Sequence, residues 1–414
     1  MLRGTEKIRS FFVCPLCGRR NGPFMHGASL FVRFHALSLW KNMPRKYLTR
    51  KNTLFYNKNS SAPFFVDYKA AEEMVDCAMR GGVNYYDTAW GYHNGGSEPA
   101  LGTFLKNYPR KSYNLATKFP GYDLSNMGKV REIFEKQLEK CGVEYFDYYL
   151  MHNVCEMNID AYLDESYGTY AYLDEQRRAG RIRHLGFSAH GDMPVLRRFL
   201  EKYGSGMEFC QLQINWLDWT FQHAKEKVDL LKSYNIPVWV MEPLRGGKLC
   251  SLSAEDEAKL KALRPQESVT GWGFRFVQSV PEVVVTLSGM STLAQVQENL
   301  KTFETDAPLN ADELAALSRI AREMTGKASL PCTACRYCTS HCPKKLDIPE
   351  LIKLYNEHCF TGGGFIAPMV VGTLPAEKRP SACVGCGSCA KVCPQQIDIP
   401  AMMKDFAARL AKSE

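Results

Sequence analysis

Residues 67–87 read DYKAAEEMVDCAMRGGVNYYD. Asp67 is a residue type that caps helix starts. Ala71, Met74, Val75 and Ala78 then fall on one helical face, and Gly81-Gly82 ends the run. Val83–Asp87 follows as a short apolar strand. This one unit predicts a helix, a tight turn and a strand with an acidic residue at its carboxyl end.

The unit recurs down the chain. Helices are expected at Glu98–Asn107, Met127–Cys141, Ala161–Ala179, Pro194–Lys202 and Ala224–Tyr234, then from Ser253, from Glu267 and over Thr292–Thr302. Strands are expected at Tyr113–Lys118, Phe146–His152, Arg183–Ser188, Cys210–Asn215, Ile236–Glu242 and Val283–Ser288. Strands separated by helices pair in parallel. Seven strands after an opening helix call for an eighth before it, near His35–Trp40. The expected fold class is therefore α/β, a (β/α)8 TIM barrel. A doubly wound open sheet competes, since it needs no missing strand.

Residues 303–330 read as helical, and Pro331 opens a different region. Cys332, Cys335, Cys338 and Cys342-Pro343 follow C-x2-C-x2-C-x3-C-P, and Cys383, Cys386, Cys389 and Cys393-Pro394 repeat it. This spacing is that of a bacterial-ferredoxin-like domain with two [4Fe–4S] clusters, in which the fourth cysteine of each run serves the other cluster. One cluster is expected on Cys332, Cys335, Cys338 and Cys393, the second on Cys383, Cys386, Cys389 and Cys342. Paired C-x2-C elements also mark zinc, but each run offers three closely spaced thiols plus a Cys-Pro. The runs share a tail, Leu346-Asp347-Ile348-Pro349 and Ile397-Asp398-Ile399-Pro400. Between them a helix is expected at Pro349–His358 and a flexible turn at Thr361–Gly364. A last helix is expected over Pro400–Lys412.

Composition bounds the rest. The chain has 414 residues, a net charge of +8 and 16 cysteines. Residues 1–65 hold twelve Lys and Arg against one acid, which leaves 40 basic against 43 acidic residues beyond them. The basic balance belongs to the head alone and gives the body no nucleic-acid signal. The head resembles a transit peptide in composition or a shifted start, and Cys14-Pro-Leu-Cys17 is at most half a zinc knuckle. The domains expected are an unassigned head (1–65), a barrel (66–330) and a two-cluster domain (331–414). No run of apolar residues is long enough to span a membrane. Clusters and unpaired thiols suit a reducing, cytoplasmic setting.

Asp87, Tyr92, Lys118 and His152 stand at or just past the ends of successive strands, the rim where barrels carry their chemistry. A free phenol has a pKa near ~10, and a neighbouring ammonium is expected to lower it. Asp87 then holds Lys118, His152 directs a substrate carbonyl, and Tyr92 protonates its oxygen as hydride reaches the carbon.

Asp87-Thr-Ala-Trp-Gly-Tyr92, Ala-Thr-Lys118, Leu-Met-His152 and Gly186-Phe-Ser188 resemble the aldo-keto reductase superfamily. With the cysteine runs, the chain resembles its ferredoxin-type branch, which ends in a 4Fe-4S dicluster domain. The resemblance implies a barrel that binds NAD(P)H without a G-x-G-x-x-G motif, and none occurs here. It implies that Ser188 and Gln211 grip the nicotinamide carboxamide. Leu244, Gly246, Ser288, Gly289, Gln295 and Asn299 complete the implied cofactor contacts. The family's Lys-Ser pair and Arg for an adenosine phosphate are replaced here by Gly289-Met290 and Gln295, its stacking aromatic by Met241, and a polar partner by Ala189.

Two function classes remain open on the sequence. One is an oxidoreductase acting on a small-molecule carbonyl or alcohol, its clusters exchanging electrons with a redox protein partner. The other is a redox carrier or sensor whose barrel holds a cofactor; the family includes such a module, the potassium-channel β subunit. Hydride transfer moves two electrons together and a cluster passes one, so the clusters feed a partner or serve structure. Loops Met157–Tyr167 and Trp216–Phe221 are expected to shape the substrate pocket.

Overall fold

The computed structural model describes residues 67–411 except 329, 333 and 334, together with a two-residue strand at Leu48–Thr49. These residues all belong to one compact unit, Pro44–Glu414. The head readings, including Cys14 and Cys17, lie outside the described residues. So does the strand expected at His35–Trp40.

Eight strands form one sheet: β1 (Leu48–Thr49), β2 (Tyr85–Asp87), β3 (Asn114–Phe119), β4 (Phe146–Val154), β5 (Ile182–Ala189), β6 (Cys210–Gln213), β7 (Val238–Met241) and β8 (Val283–Leu287). Their order is β1-β8-β7-β6-β5-β4-β3-β2, and every pairing is parallel. Helices cover the outside, as a (β/α)8 barrel requires. Leu48 pairs with Thr286 and Thr49 with Leu287, so the eighth strand exists but is brief. Its sequence, Tyr47-Leu-Thr-Arg50 between basic residues, has no apolar run to announce it.

The helix Tyr68–Arg80 forms as its pattern predicts: Asp67 accepts from the Ala70 amide at 3.0 Å, and Ala71, Met74, Val75 and Ala78 are buried. The helix Val130–Cys141 ends at Gly142, whose φ of 63° is left-handed and favours glycine. The helix expected over Ala161–Ala179 is two, Ile159–Leu163 and Thr169–Arg178. Asp164 caps a short turn between them, and Gly168 takes φ 64°. A continuous hydrophobic period hid that break.

Aromatic rings fill the barrel interior. Tyr148 packs against Tyr85 (5.0 Å between centroids), Phe209 (5.3 Å) and Trp239 (5.7 Å). Gly186 in β5 is required here, because a Cβ there would lie 2.5 Å from the Phe209 ring and carbonyl oxygen. The barrel is a packed core, so its chemistry is confined to the rim.

The cysteine-bearing region has its own apolar core, including Leu346, Ile348, Leu351, Ile352, Ile399, Met403 and Phe406. The duplicated tails explain themselves. Asp347 and Asp398 cap the helices Ile348–Thr361 and Ile399–Leu410, each with a proline in the first turn. Thr361–Gly364 forms a hydrogen-bonded turn: Gly362 and Gly363 take φ 66° and 99°, and the Gly364 amide donates to Thr361 Oγ1 at 2.9 Å. It leads into a helix, Ile366–Thr373, that its short apolar sequence did not announce.

Candidate active site

The strand ends bring Asp87, Lys118, Tyr92 and His152 together. In register, Asp87 pairs with Ala116 and Lys118 with Leu150, which aligns the carboxyl ends of β2, β3 and β4. Lys118 Nζ donates to Asp87 Oδ1 at 2.5 Å and to the Thr88 carbonyl at 2.8 Å. The same ammonium lies 4.7 Å from the centre of the Tyr92 ring. Tyr92 meets His152 edge to face, with centroids 5.8 Å apart.

Buried polar groups hold this arrangement from behind. Gln137 Nε2 donates to Glu98 Oε1 (2.7 Å), Thr117 Oγ1 (3.0 Å) and the Lys118 carbonyl (3.0 Å). Tyr149 Oη donates to Gln137 Oε1 at 2.5 Å, and Thr117 Oγ1 to Glu98 Oε1 at 2.8 Å. Glu98 and Gln137 escaped sequence reading, because each sits in an ordinary helical pattern. Only the burial of their polar side chains marks them.

The Tyr92 phenol departs from expectation. Its pKa is raised well above the ordinary value, first by burial, then by the charge of Asp87 and by Tyr122 and Glu242. The net shift is upward, not the lowering expected from Lys118. The ammonium is neutralised by the carboxylate beside it and faces the ring rather than offering a free positive charge. The phenol is thus kept protonated, as a proton donor must be.

An open cleft of about 580 Å3 lies over this rim. Tyr92 and His152 line it, and so do the expected cofactor residues Leu244, Gly246, Ser288, Gly289, Gln295 and Asn299. Asp87, Lys118, Ser188 and Gln211 are all buried behind that lining. Ser188 Oγ accepts from the Asn153 amide at 2.8 Å, supporting a residue at φ 59°. Gln211 Nε2 donates to Asp87 Oδ2 at 3.3 Å, while its Oε1 is a buried acceptor without a hydrogen-bond partner among the described residues. An orphaned amide oxygen of this kind fits a carboxamide donor.

At the far end of the cleft, Asn299 Nδ2 donates to Ser288 Oγ at 3.0 Å. The helix Leu293–Phe303 starts there, with Thr292 capping the Gln295 amide at 3.3 Å. Gly246 and Gly247 (φ 64° and 91°) turn the loop after β7 with no atom within 4 Å of a would-be Cβ. Helix-start amides and bare glycine backbone suit a phosphate. Among the described lining residues there is no Lys or Arg, and Glu242 and Glu298 are acidic.

The loops expected to shape the pocket do not line it. Within Met157–Tyr167, Ile159 and Tyr162 are buried, and Tyr162 Oη donates to the His152 carbonyl at 2.8 Å. Trp216 and Leu217 are buried too. These apolar side chains are spent on packing. Tyr122, Asn153 and His190 supply walls instead, together with Phe365 from beyond the barrel.

The eight cysteines of the two runs divide between two hollows. Cys332, Cys335, Cys338 and Cys393 line one; Cys342, Cys383, Cys386 and Cys389 line the other. The crossing of each fourth cysteine matches the ferredoxin rule. Among the described residues no three His, Cys, Asp or Glu side chains converge on a single-ion site.

The module carrying these hollows sits on the barrel's chemical face. Lys353 Nζ pairs with Asp192 at 2.5 Å, and Phe360 packs on Phe221 with centroids 5.2 Å apart. Buried Arg245 pairs with Asp218 at 3.0 Å and lies 3.7 Å from Glu357.

Residues 58–322 match the model of the aldo/keto reductase family. The chain belongs to this family. Residues 331–397 of this aldo/keto reductase match a 4Fe-4S dicluster domain. It is 26% identical over 290 residues to the NADH-specific methylglyoxal reductase of Escherichia coli, covering 58% of this chain and 86% of that protein. It is 25% identical over 260 residues to the L-galactose dehydrogenase of Arabidopsis thaliana, covering 57% of this chain and 78% of that one. An aldo/keto reductase from Klebsiella pneumoniae, solved with NADP and acetate, superposes with a TM-score of 0.53. It shares 18% identity, over 66% of this chain and 90% of its own, and so supports the fold alone. As an aldo/keto reductase the protein is an oxidoreductase that carries an iron–sulfur domain. No helix among the described residues is long and apolar enough to cross a membrane.

Proposed function

We propose that the barrel reduces an uncharged aldehyde or ketone, or oxidises the matching alcohol, with NAD(P)H. We further propose that two [4Fe–4S] clusters in residues 331–414 exchange single electrons with a redox protein partner. The observation that carries the first part is the ion pair of Lys118 with Asp87 beneath a protonated Tyr92 that opens, with His152, onto the cleft.

Bound in the cleft, a reduced nicotinamide supplies the hydride. The chain's own residues do the rest. Gln211 Oε1 is free to accept from the carboxamide, and Ser188 holds Asn153 in place. Leu244, Gly246, Ser288, Gly289, Gln295 and Asn299 bound the remainder of the cofactor. His152 orients the carbonyl oxygen, and Tyr92 gives it a proton. A developing alkoxide is a much stronger base than a phenolate, so the raised pKa of Tyr92 does not prevent the transfer. Lys118 and Asp87 position the phenol and compensate the phenolate that forms.

Electrostatics support NADH over NADPH. The cofactor end offers Glu298 and, among the described residues, no cation for an added phosphate. The Escherichia coli relative is itself named NADH-specific. In the C-terminal module, Cys332, Cys335, Cys338 and Cys393 would hold one cluster and Cys342, Cys383, Cys386 and Cys389 the other. Each cluster supplies one-electron exchange.

The test uses full-length protein prepared anaerobically. NADH-dependent aldehyde reduction should fall at least about 100-fold in Tyr92→Phe, the lower range for lost general acid catalysis, while nucleotide binding persists. Nucleotide binding without turnover in the wild type would instead favour the sensor reading.

A further inference from the structure

We infer that Phe365, from the cysteine-bearing module, is a substrate-contacting wall of the barrel's cleft and selects carbonyl compounds that carry an uncharged aromatic group. This rests on the reading of the cleft as a reductase site.

Phe365 is the one described residue of that module on the cleft lining, and the residue is 53% exposed. Its ring stands edge-on to His190, with centroids 5.5 Å apart and planes at 79°. His190 also lines the cleft, as do Tyr92, Tyr122 and His152. Tyr122 in turn meets His152 edge to face at 5.3 Å. The reacting end is thus walled by rings, an environment that favours edge or offset contacts with a further ring. An anionic substrate would meet Glu242 there and, among the described lining residues, no Lys or Arg.

Phe365 is held rather than loose. The Thr361–Gly364 turn is closed by the Gly364 amide on Thr361 Oγ1, and Lys248 of the barrel donates to the Thr361 carbonyl. On the other side the helix Ile366–Thr373 sets Met369 Sδ 3.9 Å from Nδ2 of Asn153, the residue after His152. Residues more than 200 positions apart therefore shape one pocket, and the iron–sulfur module completes the barrel's specificity surface.

Two measurements on the anaerobic full-length protein test this. In NADH-loaded protein, Phe365→Ala should raise the Kd for benzyl alcohol, which NADH cannot reduce, by about tenfold, the size of one lost ring contact. In turnover, its KM for benzaldehyde should rise by about the same factor relative to its KM for propanal, the loss falling on KM rather than kcat. Phe365→Tyr should restore both, and retained cluster absorbance shows that the variant is folded. An unchanged Kd and an unchanged KM ratio in Phe365→Ala, with normal reductase activity, would overturn the inference alone. Binding that depends on Phe365 without turnover in the wild type would overturn the reductase reading, and with it Phe365 as a substrate wall, leaving Phe365 a wall of a ring-binding cleft. A wild type that neither binds nor reduces these compounds would overturn both.

Discussion

Lys118 Nζ lies 2.5 Å from Asp87 Oδ1, with both side chains fully shut off from solvent. A buried pair of this kind is expensive to break, because removing one partner strands the other charge. Lys118→Met should therefore abolish reduction and cost about 3–5 kcal/mol of stability by denaturant unfolding. Adding Asp87→Asn should recover most of the stability and none of the activity, which separates the structural role from the chemical one.

The protonated phenol fixes a pH profile. In the proposed mechanism Tyr92 acts as an acid, so reduction needs its neutral form, and burial with the Asp87 charge raises its pKa. The active form then persists through the range in which an ordinary phenol, with a pKa near ~10, would begin to ionise. Values of kcat/KM for reduction should stay level to about pH 9 and show no tyrosine limb there. A limb below that range would place Lys118 back in control of the phenol.

Cofactor choice should follow charge. With Glu298 and no described cation along the cleft, NADH should exceed NADPH in kcat/KM by about tenfold or more, the equivalent of ~1.4 kcal/mol. Glu298→Gln should narrow the ratio by weakening repulsion of the phosphate.

Glu357 links the module's seat to pH. Burial raises its carboxyl to about 7, Arg245 opposes the rise and Asp218 adds to it. The folded state binds this proton more tightly than the unfolded chain does. The stability it contributes is therefore complete below the ordinary glutamate range and is lost as pH climbs through about 7. Wild-type Tm should fall between about pH 4.5 and pH 7 and level off above, and Glu357→Gln should flatten that slope.

The crossed quartets predict which cluster each cysteine serves. Cys342→Ser should remove the cluster of the Cys383 run, and Cys393→Ser that of the Cys332 run. Iron per chain should fall from about eight to about four in either variant. Loss of all iron from each would tie the clusters into one folding unit.

Features that depend on neighbours in the chain were legible before folding. A cap such as Asp67, a helical face such as Ala71 to Ala78 and a cysteine spacing such as Cys332 to Cys342 are local patterns. Local sterics and ligand reach translate such patterns directly. The alternation of helix and strand likewise announced a parallel barrel, whose geometry carries Asp87, Tyr92, Lys118 and His152 to one rim. Strand β1 escaped, since two residues hold no period, and Gly168 split a helix that apolar spacing had drawn as continuous.

Sequence by itself determined which chemistry the chain possesses: a phenol, an ammonium, a carboxylate and an imidazole in strand-end positions, and eight thiols in two runs. Tertiary structure alone decided how these groups behave. It paired Lys118 with Asp87, kept the Tyr92 proton, buried Ile159, Tyr162, Trp216 and Leu217 in packing and brought Phe365 over the cleft. Protonation and pocket shape arise from desolvation and from contacts between residues remote in the chain, and no local pattern encodes either.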